Sequence, residues 1–396
     1  MKSLAELPVT APEALEAWEA NVRPSRVLFG PGRLREIGRL AAELGGRRVL
    51  GVTDAGIRRA GHGEVAVSAL EAEGLGGAVF DAVEENPTSA LVERGAEEAR
   101  RHAPELLVGL GGGSAMDCAK GINFLLTNGG RMEDYAGFGK ARLPLLPSLA
   151  VPCTAGTGSE AQSFALITRD SDHVKMACGD PKARFRAVIL DPEVVQTAPH
   201  EVAMVAGFDA LSHAVESRVT RSGNPLSRLL AREAWRLMER AFPALASRSG
   251  TGSDWADMLW GAHLAGSAIE LSMLGAAHAC ANPLTATFGV THGRAIGLVL
   301  PAVVRCNGPS CLDAFAELLA AGGGGGETAG DPAEALARRL EALRDAAGLP
   351  ARLGAIGIDE TAIPGLVAQA LQQWTLRHNP RQLGAEALAA IYRSAL

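Results

Sequence analysis

Apolar and polar positions change rhythm partway along the chain. In the first half, short apolar runs of strand length fall at 26–29, 47–53, 77–80, 106–110 and 148–152, with helix-compatible stretches between several of them. Strands alternating with helices imply crossover connections, and these imply a parallel sheet covered by helices. Near Leu190-Asp191-Pro192 the rhythm changes. Beyond it the spacing predicts helix after helix, over 199–220, 225–246, 253–281, 294–306, 311–321, 331–347 and 361–376. We place the boundary between an α/β domain, residues 1–192, and an all-α domain, residues 193–396, at that change. Residues 11–21 read as a short extra helix ahead of the first strand, and no internal repeat is evident.

Composition agrees with two packed domains. The 396 residues are 47% hydrophobic and 21% charged, which excludes disordered and collagen-like readings. The formal charge of −6, with both signs interspersed, favours neither nucleic acid nor an anionic membrane as partner. The first residues carry glutamates and lack an apolar centre like that of a signal peptide, and no apolar run approaches the ~18 residues of a membrane span. The expectation is a cytoplasmic protein. Six scattered cysteines without a paired CxxC framework read as reduced thiols.

Glycine changes the picture, because 47 are present. Those in Ala321-Gly322-Gly323-Gly324-Gly325-Gly326 predict a flexible loop. Gly111-Gly112-Gly113-Ser114-Ala115-Met116-Asp117-Cys118-Ala119-Lys120 instead follows a strand and opens a helix. Such a turn lets a ligand approach bare backbone, and the free helix amides suit a phosphate. Ser114 and Asp117 also stand at capping-box spacing, so a capped helix after a tight turn accounts for the motif equally well. A second junction, Pro152-Cys153-Thr154-Ala155-Gly156-Thr157-Gly158-Ser159-Glu160, would converge with the first at the carboxyl edge of the sheet, where α/β folds bind ligands. Asp54, just past a strand, is placed to accept from a ribose diol and to repel a 2′-phosphate, or simply to close a turn.

Of the nine histidines, three stand out. Asp209 and His213 lie four apart on one helix face, a spacing that serves either a shared metal ion or an ordinary side-chain pair. His278 sits in a nearly uncharged stretch and needs a hydrogen bond or a metal. His292 follows beyond Pro283, which is expected to interrupt the helix and set the two histidines on converging segments. His62, His102, His173, His200, His263 and His378 show no comparable partners.

In order and spacing, these motifs resemble the iron-containing, group III alcohol dehydrogenase family over nearly the whole chain. The likeness runs from Phe29-Gly30-Pro31-Gly32 through Thr53-Asp54, Asn86-Pro87-Thr88, the two glycine junctions, Asp191-Pro192, Asp209-xxx-His213, His278-x13-His292-Gly293 and Leu300-Pro301 to Asn379-Pro380-Arg381. The resemblance implies a Rossmann-like dinucleotide-binding α/β domain, an all-α domain of dehydroquinate synthase-like architecture, and an active site in the cleft between them. By motif position, Asp54 would contact the adenosine ribose of NAD(H), and Gly112, Gly113 and Ser114 its pyrophosphate, with Asn86, Thr154, Thr157 and Lys175 lining the remainder. Asp209, His213, His278 and His292 match the metal-ligand positions.

One carboxylate and three neutral imidazoles leave a divalent ion net positive, able to polarise the oxygen of a small alcohol or aldehyde during hydride transfer. The set suits Fe²⁺ and Zn²⁺ alike. Many relatives carry a second histidine four residues after the one matching His278, a candidate proton relay. Here that position is Asn282, which cannot titrate near neutrality. Phe164, where some relatives face substrate, suggests a less polar pocket. Relatives often form homodimers through the N-terminal sheet. A lyase resembling dehydroquinate synthase and a noncatalytic nucleotide-binding protein are the competing readings.

Overall fold

A computed structural model describes residues 25–172, 174–323 and 330–396. The expected helix over 11–21, His173 and the glycines at 324–326 lie outside the described residues. Nine strands run β1 (Arg26–Phe29), β2 (Arg48–Val52), β3 (Gly76–Phe80), β4 (Leu106–Gly111), β5 (Gly137–Phe138), β6 (Ser148–Pro152), β7 (Phe164–Thr168), β8 (Lys175–Gly179) and β9 (Ala187–Leu190). Between them lie helices α1 (Ile37–Glu43), α2 (Ala55–Arg59), α3 (His62–Ala72), α4 (Ser89–His102) and α5 (Gly113–Asn128). Six strands form one parallel sheet in the order β1-β9-β6-β4-β2-β3. β4 and β6 are buried throughout, which is why they read as unbroken apolar runs rather than alternating ones.

The order places the ligand crevice. The connection leaving β2 leads outward to β3, while that leaving β4 leads the other way to β6, so the loops after β2 and β4 diverge. A crevice opens at such a switch point, beyond the carboxyl ends of the strands. Asp54 follows β2 there, and Gly112 follows β4.

A second sheet was not anticipated. β5, β8 and β7 form a small three-stranded layer, with β7 and β8 antiparallel. β7 and β8 alternate half-buried and buried positions and β5 is two exposed residues, a weaker signal than a buried parallel strand gives.

After β9 the remaining elements are helical: α6 (Pro192–Val195), α7 (His200–Val219), α8 (Pro225–Ala246), α9 (Gly252–Ser272), α10 (Ala276–Phe288), α11 (His292–Asn307), α12 (Leu312–Gly322), α13 (Pro332–Ala346), α14 (Ile363–Ala370) and α15 (Ala385–Ser394). α7 is the central one, buried on every face from Gly207 to Ser217. Polar side chains within that span are therefore placed where each needs a partner.

Two expected helices, one expected break and one expected loop require correction. The stretch 253–281 is two helices, α9 and α10, whose axes turn by 104°. Met273 takes φ 76°, and a Cβ on Gly275 would stand 2.9 Å from Glu216 Oε1 and 3.0 Å from Asn379 Oδ1. Apolar residues on both sides of the corner conceal it in the sequence. Pro283, by contrast, lies inside α10 and does not end it; the break falls after Phe288, at Gly289 with φ 66°. The expected helix 361–376 stops at Ala370, and a separate 3₁₀ turn covers Trp374–His378. Ala321 and Gly322, read as loop, close α12.

Among the described residues no single helix is long and apolar enough to cross a membrane. All six cysteines are free thiols, five buried and Cys306 half-buried.

Candidate active site

One cleft of about 900 Å³ lies between the sheet's carboxyl edge and the helices. Every residue singled out above for cofactor or metal lines it: Asp54, Asn86, Gly112, Gly113, Ser114, Thr154, Thr157 and Lys175 on one side, Asp209, His213, His278 and His292 on the other. Phe164 and Asn282 face the same space.

At the sheet edge, Asp54 Oδ1 accepts from Gly56 N at 2.7 Å and Ile57 N at 3.1 Å and so caps α2. The turn and ribose readings of Asp54 are thus compatible, since its other oxygen is not used by the cap. α5 starts at Gly113, with Gly112 as the capping residue in an extended conformation. The Ser114 and Asp117 capping box does not form, because the helix begins two residues too early for it. Ser114 Oγ instead accepts from Asn86 N at 3.3 Å, and Asp117 turns inward to accept from Ser159 Oγ at 2.5 Å and Leu166 N at 3.2 Å. A Cβ on Gly113 would lie 2.7 Å from both Thr157 Cγ2 and Oγ1, so the two glycine junctions pack directly on one another.

Beneath them the buried Lys120 ammonium donates to Ser159 O and Ser159 Oγ, both at 2.8 Å, and to Phe164 O at 2.6 Å. Burial lowers its pKa and raises that of Asp117, which lies 3.7 Å away. The Gly111–Lys120 motif thus contributes a brace beneath its glycine turn. Its signal was the lysine two turns into a helix whose neighbours are apolar.

The strand and helix halves are tied by three more contacts. His263 Nδ1 stands 3.2 Å from Glu160 Oε1, which gives that histidine the partner its sequence context did not reveal. Glu270 accepts from Ser163 Oγ at 2.8 Å and pairs with Arg184 at 2.9 Å.

The other wall carries the carboxylate and imidazoles. Asp209 Oδ1 lies 3.4 Å from His213 Nε2, 3.6 Å from His278 Nε2 and 3.6 Å from His292 Nε2. The Nε2 atoms of His213 and His278 are 3.2 Å apart. α7 supplies two of the four groups, α10 and α11 one each. Asp209 Oδ1 is buried with no hydrogen-bond partner, a costly arrangement unless a cation is shared.

One ligand atom each from Asp209, His278 and His292 lies within 4.8 Å of the others, and His213 joins the group through Asp209 and His278. Bonds of roughly 2.1 Å to one ion need ligand atoms roughly 3.4 Å apart, so Asp209, His278 and His292 fit a divalent ion of either kind, Fe²⁺ or Zn²⁺, with His213 beside them.

Electrostatics agree with that fit for three of the four groups. Burial pushes the Asp209 carboxyl up, but the facing imidazoles of His213, His292 and His278 outweigh it and hold it below the usual carboxylate range. Burial keeps His213 below the ordinary imidazole value and brings His292 down to about 3, so both present neutral rings. Burial also opposes charge on His278, yet the facing carboxylates of Asp209 and Glu216 raise it to about 9. Lys175 on β8 is lowered by desolvation in the cleft, which Asp117, Asp209 and Glu85 offset only in part.

Some residues of this wall went unnoticed in the sequence. Glu216 Oε2 is 2.6 Å from His278 Nδ1, and a carboxylate seven residues after Asp209 on the same helix was the available signal. Asn282 Nδ2 donates to Gln373 Oε1 at 3.0 Å. Phe164 stacks on Trp374, with ring centroids 6.2 Å apart, and leans on Phe138 at 5.6 Å. Gln373 and Trp374 lie scores of residues or more from the rest of the site, beyond the reach of any local pattern.

Comparison with known proteins agrees with this geometry. Residues 24–192 match the family model for iron-containing alcohol dehydrogenase, and residues 203–396 match that for the C-terminal part of the Fe-containing alcohol dehydrogenase family. The chain is 32% identical to a 1,3-propanediol dehydrogenase of Klebsiella pneumoniae, over 94% of this chain and 97% of the relative. It is 30% identical to an NAD-dependent methanol dehydrogenase of Bacillus methanolicus, over 94% and 98% respectively. Among solved structures, a 1,3-propanediol oxidoreductase superposes with a TM-score of 0.90 at 32% identity, covering 94% of this chain and 98% of the other. An alcohol dehydrogenase from Oenococcus oeni gives 0.90 at 28% identity, with the same coverage.

The chain belongs to the iron-containing alcohol dehydrogenase family. As an alcohol dehydrogenase it moves hydride between a carbinol carbon and a dinucleotide, which favours that reading over the lyase and noncatalytic alternatives.

Proposed function

We propose that this enzyme interconverts small, predominantly apolar primary alcohols and their aldehydes with NAD(H), using Fe²⁺ held by Asp209, His213, His278 and His292, with Zn²⁺ as the alternative ion. The observation that carries the reading is the single cleft in which the two glycine junctions face the carboxylate and three imidazoles. When bound, the ion supplies Lewis acidity to the substrate oxygen and NAD⁺ accepts hydride. The remaining work is that of the chain. Asp209 contributes the cluster's one negative charge, and neutral His213 and His292 keep their lone pairs free. Gly112, Gly113 and Ser114 offer the pyrophosphate bare backbone and the start of α5. Phe164, Ile269, Leu274 and Trp374 line the cleft and exclude water from the carbon end of the substrate. Asn282, held by Gln373, positions without exchanging protons, so the alcohol proton leaves through solvent or the ribose hydroxyls.

The decisive measurement is NADH formation by protein stripped of metal and reloaded with Fe²⁺ or Zn²⁺, across alcohols of graded polarity. Apolar primary alcohols are expected to turn over fastest; a lyase would return its cofactor unchanged, and silence across the panel with either ion would sink the proposal.

Asp54 offers a separate test. Wild type is expected to prefer NADH to NADPH, because a carboxylate near the ribose repels a 2′-phosphate. Asp54→Ala should narrow the preference by roughly tenfold or more, since a like-charge contact costs on the order of 1 kcal/mol or above. It should also cost about 1 kcal/mol of stability through the lost cap. A wild-type preference for NADPH would contradict the role.

We further propose a cytoplasmic homodimer. β1 and β3 form the two edges of the main sheet as described, and an exposed sheet edge invites pairing with a second copy.

A further inference from the structure

We propose that Glu216 and Asn379 are positioning residues that fix where His278 presents its Nε2, by gripping the start of α10. The inference rests on the metal reading of the Asp209 cluster.

The first amides of a helix have no acceptor within it. In α10 they are met by two side chains from distant elements: Ala276 N donates to Asn379 Oδ1 at 3.1 Å and Ala277 N to Glu216 Oε1 at 2.7 Å. The next residue is His278, whose Nδ1 lies 2.6 Å from the other oxygen of Glu216. One buried carboxylate thus holds both the backbone that carries the imidazole and the ring itself. An ionised carboxylate only accepts, so Nδ1 must be the donor, and Nε2 is the nitrogen turned toward Asp209 and His213.

Asn379 supplies the second grip and completes four hydrogen bonds in doing so. Its Oδ1 also accepts from Asn307 Nδ2 at 3.0 Å, and its Nδ2 donates to Asn307 Oδ1 at 2.8 Å and to Arg381 O at 2.8 Å. Asn307 ends α11, the helix that His292 begins. The Arg381 guanidinium donates to Cys306 O in the same last turn. The Asn379-Pro380-Arg381 segment therefore clamps the end of one histidine-bearing helix to the start of the other. Gly275 is part of the device, since a Cβ there would push on Glu216 Oε1 and Asn379 Oδ1 together.

Titration of the apoprotein with Co²⁺, followed by its visible absorbance, reads the centre without relying on turnover. Glu216→Gln keeps the side chain's volume but turns an N–H group toward one of its two donors; Asn379→Leu removes all four hydrogen bonds. Both variants are expected to bind Co²⁺ roughly 10- to 100-fold more weakly than wild type, the usual cost of losing an outer partner of a metal-bound imidazole. The absorption bands should shift as the ring reorients, while NADH affinity stays at the wild-type value. Glu216→Gln carries the test alone should Asn379→Leu not fold.

Wild-type Co²⁺ affinity and spectrum in Glu216→Gln would overturn the inference, as would a loss of Co²⁺ binding accompanied by equal loss of NADH binding. Failure of the underlying reading looks different. Wild type and His278→Ala would then both take up no Co²⁺, and metal reading and inference would fall together.

Discussion

His278→Ala is expected to lose turnover by roughly 10³- to 10⁵-fold, the rate equivalent of the several kcal/mol that a Lewis acid contributes to a developing oxyanion. The imidazole is central to the cluster, with Nε2 3.2 Å from His213 Nε2 and 3.6 Å from Asp209 Oδ1. Its removal takes one nitrogen from the cluster and leaves a second defect behind it, because Glu216 Oε2 loses the donor it accepts from at 2.6 Å. The dinucleotide side of the cleft is untouched: the turns at Gly112 and Thr154 make none of these contacts. Steady-state kinetics, metal content and NADH binding on the same preparation check the prediction. Metal and turnover should fall together while NADH binds as in wild type. A variant that remains active without metal would remove the cluster from the mechanism.

Gly293→Ala should be nearly as damaging, although it adds one methyl group and changes no polar atom. A Cβ at this position would stand 2.1 Å from the Val205 carbonyl oxygen of α7, a main-chain atom that cannot swing aside. α11 must therefore move off α7 at the residue that follows His292. Overpacking of this kind costs about 1–3 kcal/mol in stability. Displacing a reacting geometry by about 1 Å can cost roughly 10²-fold in rate, so kcat/KM and metal retention should both fall. Gly365→Ala is the matched control. It lies inside α14 with nothing within 4 Å of its Cβ position, and the substitution should leave turnover unchanged and stability equal or higher. Thermal midpoints and kcat/KM of the pair decide the matter; equal behaviour would mean that the α7–α11 contact does not set the position of His292.

Each feature was legible in the sequence to the extent that its physics was local. The alternation of apolar runs and helical stretches is a property of neighbouring residues, and it located β1, β2, β3, β4 and β6 to within a residue or two. The glycine junctions were visible because unencumbered backbone leaves a compositional mark. The Asp209 and His213 pair was visible because one helix presents both. Where the reading missed, a distant element had intervened. At the corner between α9 and α10, Glu216 and Asn379 fill the space beside Gly275, and apolar patterning on either side gives no sign of them. Pro283 was misjudged in the opposite sense, since its ring is accommodated within α10.

What the sequence by itself determined was the α/β-then-helical order, the two glycine turns, and the chemical types able to hold a dinucleotide and a divalent ion. Only the tertiary structure decided that these parts share one cleft. It set Asp209 Oδ1 within 3.4–3.6 Å of three imidazoles from three helices. It also made Glu216, Asn379 and Trp374 part of the site. The physical reason is that patterning and propensity act over a few residues, whereas a cleft is made where packed helices bring together side chains separated by scores of residues, and the positions available to each are set by the backbone it packs against.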